Sequence, residues 1–182
     1  MSKKVIVFLA EGFEEIEAIT PIDILRRAEC DVTIVSITDS LTVTGAHGIS
    51  LIADAHFNDI NSFDSDVIFL PGGMPGSLHL NEHNGVKTVV KKQVETGKYV
   101  AAICAAPLVL GGLGLLRNKQ ATCYPGHEST LIGAKITNQQ CVTDGNIITA
   151  NGPGAAAILG FTLVTILQGN AIAEQWKKGM MF

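Results

Sequence analysis

Between Val100 and Val109 the chain reads VAAICAAPLV. The lead-in KYVAAI (98–103) is short, apolar and continuous, as a strand buried on both faces must be. The run that follows, APLVLGGLGLL (106–116), reads as a helix weakened by its glycines. A buried strand passing at once into a helix is half of a crossover unit, and such units build parallel sheets. The same grammar recurs outward in both directions. KKVIVFLA (3–10), DVTIVSIT (31–38), DVIFLPGG (66–73) and NIITANGPG (146–154) read as strands. EEIEAITPIDILRRAE (14–29), GVKTVVKKQVETG (85–97), AAAILGFTLVTILQG (155–169) and AIAEQWKKG (171–179) read as helices. Pro21 is expected to kink or divide the first helix, and Gly97 to stop the second. LTVTG and GISLIA, on either side of 45–48, resemble a hairpin. The pattern predicts an α/β fold, a mainly parallel sheet with helices on both faces, in one domain spanning 1–182.

The composition fits that reading and excludes several functions. Hydrophobic residues make up 47% of the 182 and charged residues 16%, as in a well-buried globular chain. A net charge of −4 with no basic cluster leaves no electrostatic footprint for nucleic acid or a membrane surface. The first apolar run, Val5 to Ala10, is too short for a secretory signal, and AAAILGFTLVTIL is about half a bilayer span. The four cysteines, Cys30, Cys104, Cys123 and Cys141, form no Cys-x-x-Cys pair and read as reduced thiols of a cytoplasmic protein. Cys30, Cys123 and Cys141 are expected in the core or at an edge, with Cys30 a candidate for a dimer seam.

In open parallel sheets, ligands bind beyond the carboxyl ends of the strands. Four loops fall there: AEGFEEIE (10–17), PGGMPGS (71–77), ICAAP (103–107) and NGPG (151–154). Small residues around Cys104 permit the sharp strand-to-helix turn of a nucleophile elbow. The helix N-terminus would then favour a thiolate, Pro107 would suit the first turn, and the Ala105 N–H would face an oxyanion. The local pattern fits an inert core thiol equally well. Gly72 and Gly73 let the backbone approach a ligand, or simply make the turn. Without a Gly-Lys-Ser/Thr ending, the loop is not a nucleotide phosphate loop. Glu11, Glu14 and Glu15 are read as helix-start or solvent-facing carboxylates. Glu17, inside the first apolar turn, is read as a desolvated carboxyl able to hold a proton. HLNEH (79–83) matches a zinc-protease pattern but is read as a chance match, so no metal site is predicted.

The motifs EEIEAITPIDILRRA, DVIFLPGG, AAICAAP and NGPG, in this order and spacing, resemble the ThiJ/PfpI superfamily. The similarity is greatest to the branch of bacterial YajL and the human parkinsonism-linked protein deglycase, and covers nearly the whole chain. The resemblance implies a flavodoxin-like three-layer sandwich and a homodimer. It also implies that Cys104 is the reactive cysteine and Glu17 its protonated partner, with the backbone of Gly73 and Ala105 facing the reacting oxygen.

Departures from the family pattern bear on chemistry. Ala105 stands where the protease branch has histidine, so proteolysis is not expected. Tyr124 stands where the human deglycase has a histidine near its cysteine. His127, three residues on, reads as a surface-loop residue, with a place at the site as the alternative. Asn151 replaces the arginine of an RGPG motif beside Pro153, and His47 replaces another family arginine near the dimer seam, although Arg27 remains. The expected function is a cofactor-independent, Cys104-dependent glyoxalase or protein deglycase. Its substrates would be reactive aldehydes (methylglyoxal, glyoxal) or their glycated adducts, with a role in oxidative or carbonyl stress. A non-catalytic redox sensor or stress chaperone using an oxidisable Cys104 is the alternative, and a small-amide or ester hydrolase the third reading.

Overall fold

The computed structural model describes residues 2–60 and 64–182. In chain order the elements are β1 (Lys4–Leu9), α1 (Glu15–Arg27), β2 (Asp31–Ser36), β3 (Thr42–Thr44), β4 (Ser50–Ile52), β5 (Ala55–His56) and β6 (Val67–Leu70). There follow α2 (Gly76–Glu82), α3 (Asn84–Glu95), β7 (Tyr99–Ile103), α4 (Pro107–Gly112), β8 (Gln120–Ala121), β9 (Lys135–Ile136), β10 (Cys141–Asp144), β11 (Ile147–Ala150), α5 (Ala156–Gln168) and α6 (Asn170–Gly179). Seven strands form the central sheet in the order β10-β11-β7-β6-β1-β2-β5. All its pairings are parallel except β10 with β11 at one edge.

Alternation along β1 divides the core in two. Val5, Val7 and Leu9 pack with α1 and α5, whereas Ile6 and Phe8 pack with α3 and α4. Both faces of the sheet are therefore covered, which is why the strands read as unbroken apolar runs rather than alternating ones. The three-layer α/β architecture expected from the sequence is present, and the LTVTG–GISLIA hairpin is the small antiparallel pair β3–β4. No helix among the described residues is long and apolar enough to cross a membrane.

Two local expectations are corrected. α1 is not divided at Pro21 but runs through it, with Pro21 buried. A proline ring inside a helix costs about 3 kcal/mol, yet this one lies in the seam with α5. A side chain at Gly160 would press on Ile24 and the Pro21 backbone, so that glycine brings the two helices into contact. Packing of that buried stripe outweighs the hydrogen bond that proline withholds. The glycines after β7 also shorten their helix: α4 ends at Gly112, and 113–118 are turns.

Candidate active site

Three neighbouring strands, β7, β6 and β1, end side by side, and the turns that leave them build one pocket. Cys104 follows β7 with φ at 64°, a left-handed conformation that costs a residue with a side chain about 1–2 kcal/mol. Backbone hydrogen bonds hold it there: its N–H donates to Ala150 O at 2.8 Å, and the Tyr124 N–H donates to its carbonyl at 2.9 Å. Pro107 opens α4 just beyond. This is the elbow read from the sequence, a strained turn that pushes a half-buried thiol out of the sheet plane.

After β6, Gly73 adopts φ of +95°. A Cβ on Gly72 would collide with Glu17 Oε2 and with Cys104 Cβ. The glycine pair thus lets carboxyl and thiol meet beneath the loop. After β1, α1 begins with Glu15 and points Glu17, which has no exposed surface, at the same spot. A pocket of about 240 Å³ opens over them, lined by Glu14, Glu17, Gly73, Met74, Cys104, Ala105, Tyr124, His127 and Pro153. That is room for a substrate of a few heavy atoms. A larger depression of about 360 Å³, between Ile37, His56, Phe57 and His83, contains no cysteine.

Burial dominates the electrostatics. It pushes the Cys104 thiol up to about 12, reinforced by the charge and hydrogen bonding of Glu17 and opposed by the N–H groups of Ala105 and Gly73. It raises Glu17 to about 7, against the influence of Cys104 and the Gly72 N–H and with the charge of Glu14 adding to the rise. Neither Glu17 oxygen completes a protein hydrogen bond of ordinary geometry, so thiol and carboxyl are in close polar contact rather than in a finished bond. Between about 7 and about 12 the two together hold one proton and one negative charge. The expected depression of the thiol by a helix N-terminus is corrected accordingly. α4 has only six residues and starts three positions beyond Cys104, too little to offset burial. Glu17 is the group in contact with the thiol with which it can exchange a proton.

The remaining sequence candidates separate. Gly73, Ala105, His127 and Pro153 line the pocket; Gly72 lies beneath it. Asn151 is half-buried and does not line it; its N–H donates to Gln140 O at 3.0 Å. The HLNEH histidines are engaged in the fold. His79 Nδ1 bonds Glu11 O at 3.0 Å, and His83 Nδ1 accepts the Val86 N–H at the start of α3. Cys30 and Cys123 are buried, and Cys141 lies half-buried on edge strand β10.

The glutamate run behaves differently from its reading. Glu15 is buried: Oε1 accepts the N–H groups of His47 and Ile49, and Oε2 meets His47 Nδ1 at 2.9 Å. Burial pushes its carboxyl up, but the His47 imidazole and these N–H groups win and hold it below the usual range. Glu14 is only 9% exposed and faces the pocket. Its spacing of three from Glu17 puts both on one helical face, a signal present in the sequence. Met74, which also lines the pocket, carried no chemical signal.

A parallel α/β sheet with a cysteine on a strained strand-to-helix turn over a buried carboxyl defines a class of elbow-type proteins. Residues 3–166 match the DJ-1/PfpI family, and the chain belongs to it. It is 41% identical over 176 residues to the DJ-1 homolog B of Arabidopsis thaliana, covering 96% of this chain and 40% of that protein. The chain spans less than half the length of the two plant relatives it matches. It is 35% identical over 153 residues to a protein of Pyrococcus horikoshii named deglycase, covering 82% of this chain and 90% of that one. The solved structure of oxidized DJ-1 from Toxoplasma gondii superposes with a TM-score of 0.95 at 30% identity, covering 100% of this chain and 99% of that one.

Proposed function

We propose that this protein is a cofactor-independent glyoxalase or protein deglycase acting on methylglyoxal, glyoxal or their adducts, with a role in carbonyl or oxidative stress. The deglycase name of the Pyrococcus relative agrees with this reading. What carries it is the Cys104–Glu17 pair, sharing one proton beneath a small pocket whose N–H groups, from Ala105 and Gly73, face the sulfur.

With the proton on Glu17, the Cys104 thiolate attacks the aldehyde carbon of methylglyoxal. The carbonyl electrons move to oxygen, where the Ala105 and Gly73 N–H groups receive the charge and Glu17 supplies the proton. The product is a hemithioacetal. Glu17, now a carboxylate, removes the proton from the same carbon to give an enediol and returns it to the adjacent carbon, while the hydroxyl proton of the first carbon's oxygen passes to the oxygen of the second, leaving a lactoyl thioester. Water cleaves the thioester to lactate and regenerates the thiolate, so the balance is methylglyoxal plus water to lactic acid. His127, which lines the pocket, is proposed to assist that hydrolysis. We further propose a cytoplasmic homodimer. Four free thiols suit a reducing compartment, and Ile16 and Ile19 on α1, with Ile49 and Ile52 on the hairpin, are exposed apolar side chains that a second copy would cover.

Lactate release from methylglyoxal tests the reading. Wild type should turn over, Cys104→Ser should lose at least about a hundredfold and Glu17→Gln a comparable factor. Equal rates in wild type and Cys104→Ser reject it. A redox-sensing role has its own support, since Cys104 is the one thiol that borders this pocket. Selective gain of two oxygens at Cys104 under mild peroxide, with negligible aldehyde turnover, would favour that role.

A further inference from the structure

The Cys104 pocket is walled by carboxylates, and among its lining residues there is no lysine or arginine. Glu14 sits at its edge, largely buried, and its charge reaches the reacting pair, as the rise it causes in Glu17 shows. A carboxylate so placed has little water to screen it. Among the described residues its basic partner is His47, a cation when protonated, whose Nδ1 stands 3.2 Å from Glu14 Oε2 and 2.9 Å from Glu15 Oε2. That imidazole is shared between two acids, and its side chain is 70% exposed, so it neutralises Glu14 only in part. The other side chains that line the pocket, Met74, Tyr124, His127 and Pro153, carry no permanent charge.

We propose that Glu14, with His47 as its counter-ion, selects substrates by charge: neutral and cationic carbonyl compounds reach Cys104, and carboxylate-bearing ones such as 2-oxo acids are turned away. The substrate class rests on the proposed aldehyde chemistry, whereas the charge selection is a property of the pocket that holds whether or not turnover occurs. Glu14 touches no reacting atom; it sets the field through which the electrophile must approach.

Alkylation of Cys104 by iodoacetamide and iodoacetate tests this without any enzymatic step. The two reagents are nearly equal in size, and in both the thiolate displaces iodide from a CH2 group; one is neutral and the other anionic. Rates are read on the Cys104 peptide by mass spectrometry, because Cys30, Cys123 and Cys141 are also free thiols. The amide-to-acid rate ratio is divided by that of 2-mercaptoethanol in the same buffer. At low salt the wild-type ratio should exceed that of the small thiol by about tenfold and shrink in 1 M NaCl. Glu14→Gln should bring it close to that of the small thiol, and the exposed substitution His47→Gln should raise it. A wild-type ratio equal to that of 2-mercaptoethanol overturns the proposal, as does an unchanged ratio in Glu14→Gln. A fall in His47→Gln rejects the counter-ion. A Cys104 inert to both reagents rejects the proposal too, since the pocket would then admit neither charge. A high, Glu14-dependent ratio in a protein that forms no lactate would keep the charge selection and remove the glyoxalase reading.

Discussion

Glu17 is a carboxyl that the fold accommodates best when neutral. It is fully buried, and neither oxygen has a completed hydrogen bond. Its pKa stands at about 7 in the folded protein, mainly through burial, against 4.5 for the free group. The folded state therefore binds the proton more tightly than the unfolded chain. It loses stability as pH climbs from 4.5 to about 7, and the full penalty, about 3 kcal/mol, stands above that range. Glu17→Gln keeps the shape and removes the charge. Urea denaturation should find the variant near wild type at pH 4.5 and more stable than wild type by about 3 kcal/mol at pH 8. An equal difference at both pH values would show that desolvated charge is not what the residue contributes. This penalty is the counterpart of the proposed chemistry: the same burial that destabilises the carboxylate brings its titration near neutral pH, where the proposed exchange with Cys104 would draw on it. The sequence showed Glu17 as the acid inside an apolar turn, and that was enough to single it out. It did not show the thiol rising with it, because that depends on burial produced by two strands and a loop from elsewhere in the chain.

The β3–β4 hairpin is an element held in part by a buried acid, Glu15. Its strands have three residues each and lie outside the main sheet, too little for independent stability. The Gly12 N–H donates to Thr44 O at 2.8 Å and the Ala46 N–H to Phe13 O at 2.7 Å, and Glu15 closes the loop through His47 and Ile49. Hydrogen bonding to Glu15 and the charges of Glu14 and Glu15 raise His47 above its ordinary 6.5. A raised histidine contributes its stability in full below 6.5 and loses it as pH rises through the higher folded value. Hydrogen exchange across 42–52, corrected for the intrinsic pH dependence, should quicken by on the order of two- to fivefold once His47 deprotonates. His47→Ala should exchange at the faster rate throughout. Protection in wild type that stays level across that range would show the backbone bonds to be sufficient alone. The hairpin itself was readable from its alternating residues and glycines. The grip of Glu15 was not, because the acid and the loop it holds are about 30 positions apart and nothing local marks a contact of that range.

At the scale of the molecule, what local patterning could fix was the layering. Strands apolar along their whole length must be covered on both sides, and helices between them supply the cover. The order β10-β11-β7-β6-β1-β2-β5 and the antiparallel edge were not readable, since they depend on which helices pack against which. Four loops were nonetheless expected on one rim, because parallel strands place their carboxyl ends together, and residues from all four line the Cys104 pocket. Among the exposed large apolar side chains, several lie on α1 and on the hairpin beside it. Ile16 (54% exposed) and Ile19 (38%) lie a turn apart on the outside of α1, with Ile49 (55%) and Ile52 (75%) on the hairpin that Glu15 ties to that helix. In a two-fold dimer this face would meet its own copy, so each isoleucine counts twice, at up to about 1.5–3 kcal/mol per fully buried side chain. Ile16→Asp places a charge on the exposed side of α1 without touching the core. Sedimentation equilibrium should find wild type at twice the chain mass and Ile16→Asp at the chain mass, with unchanged circular dichroism. Because Ile16 and Glu17 are neighbours on α1, losing the dimer should also loosen the segment that presents Glu17 to Cys104, lowering the thermal midpoint by several degrees. A wild-type chain that sediments as a monomer at micromolar concentration would leave those isoleucines unexplained by self-association.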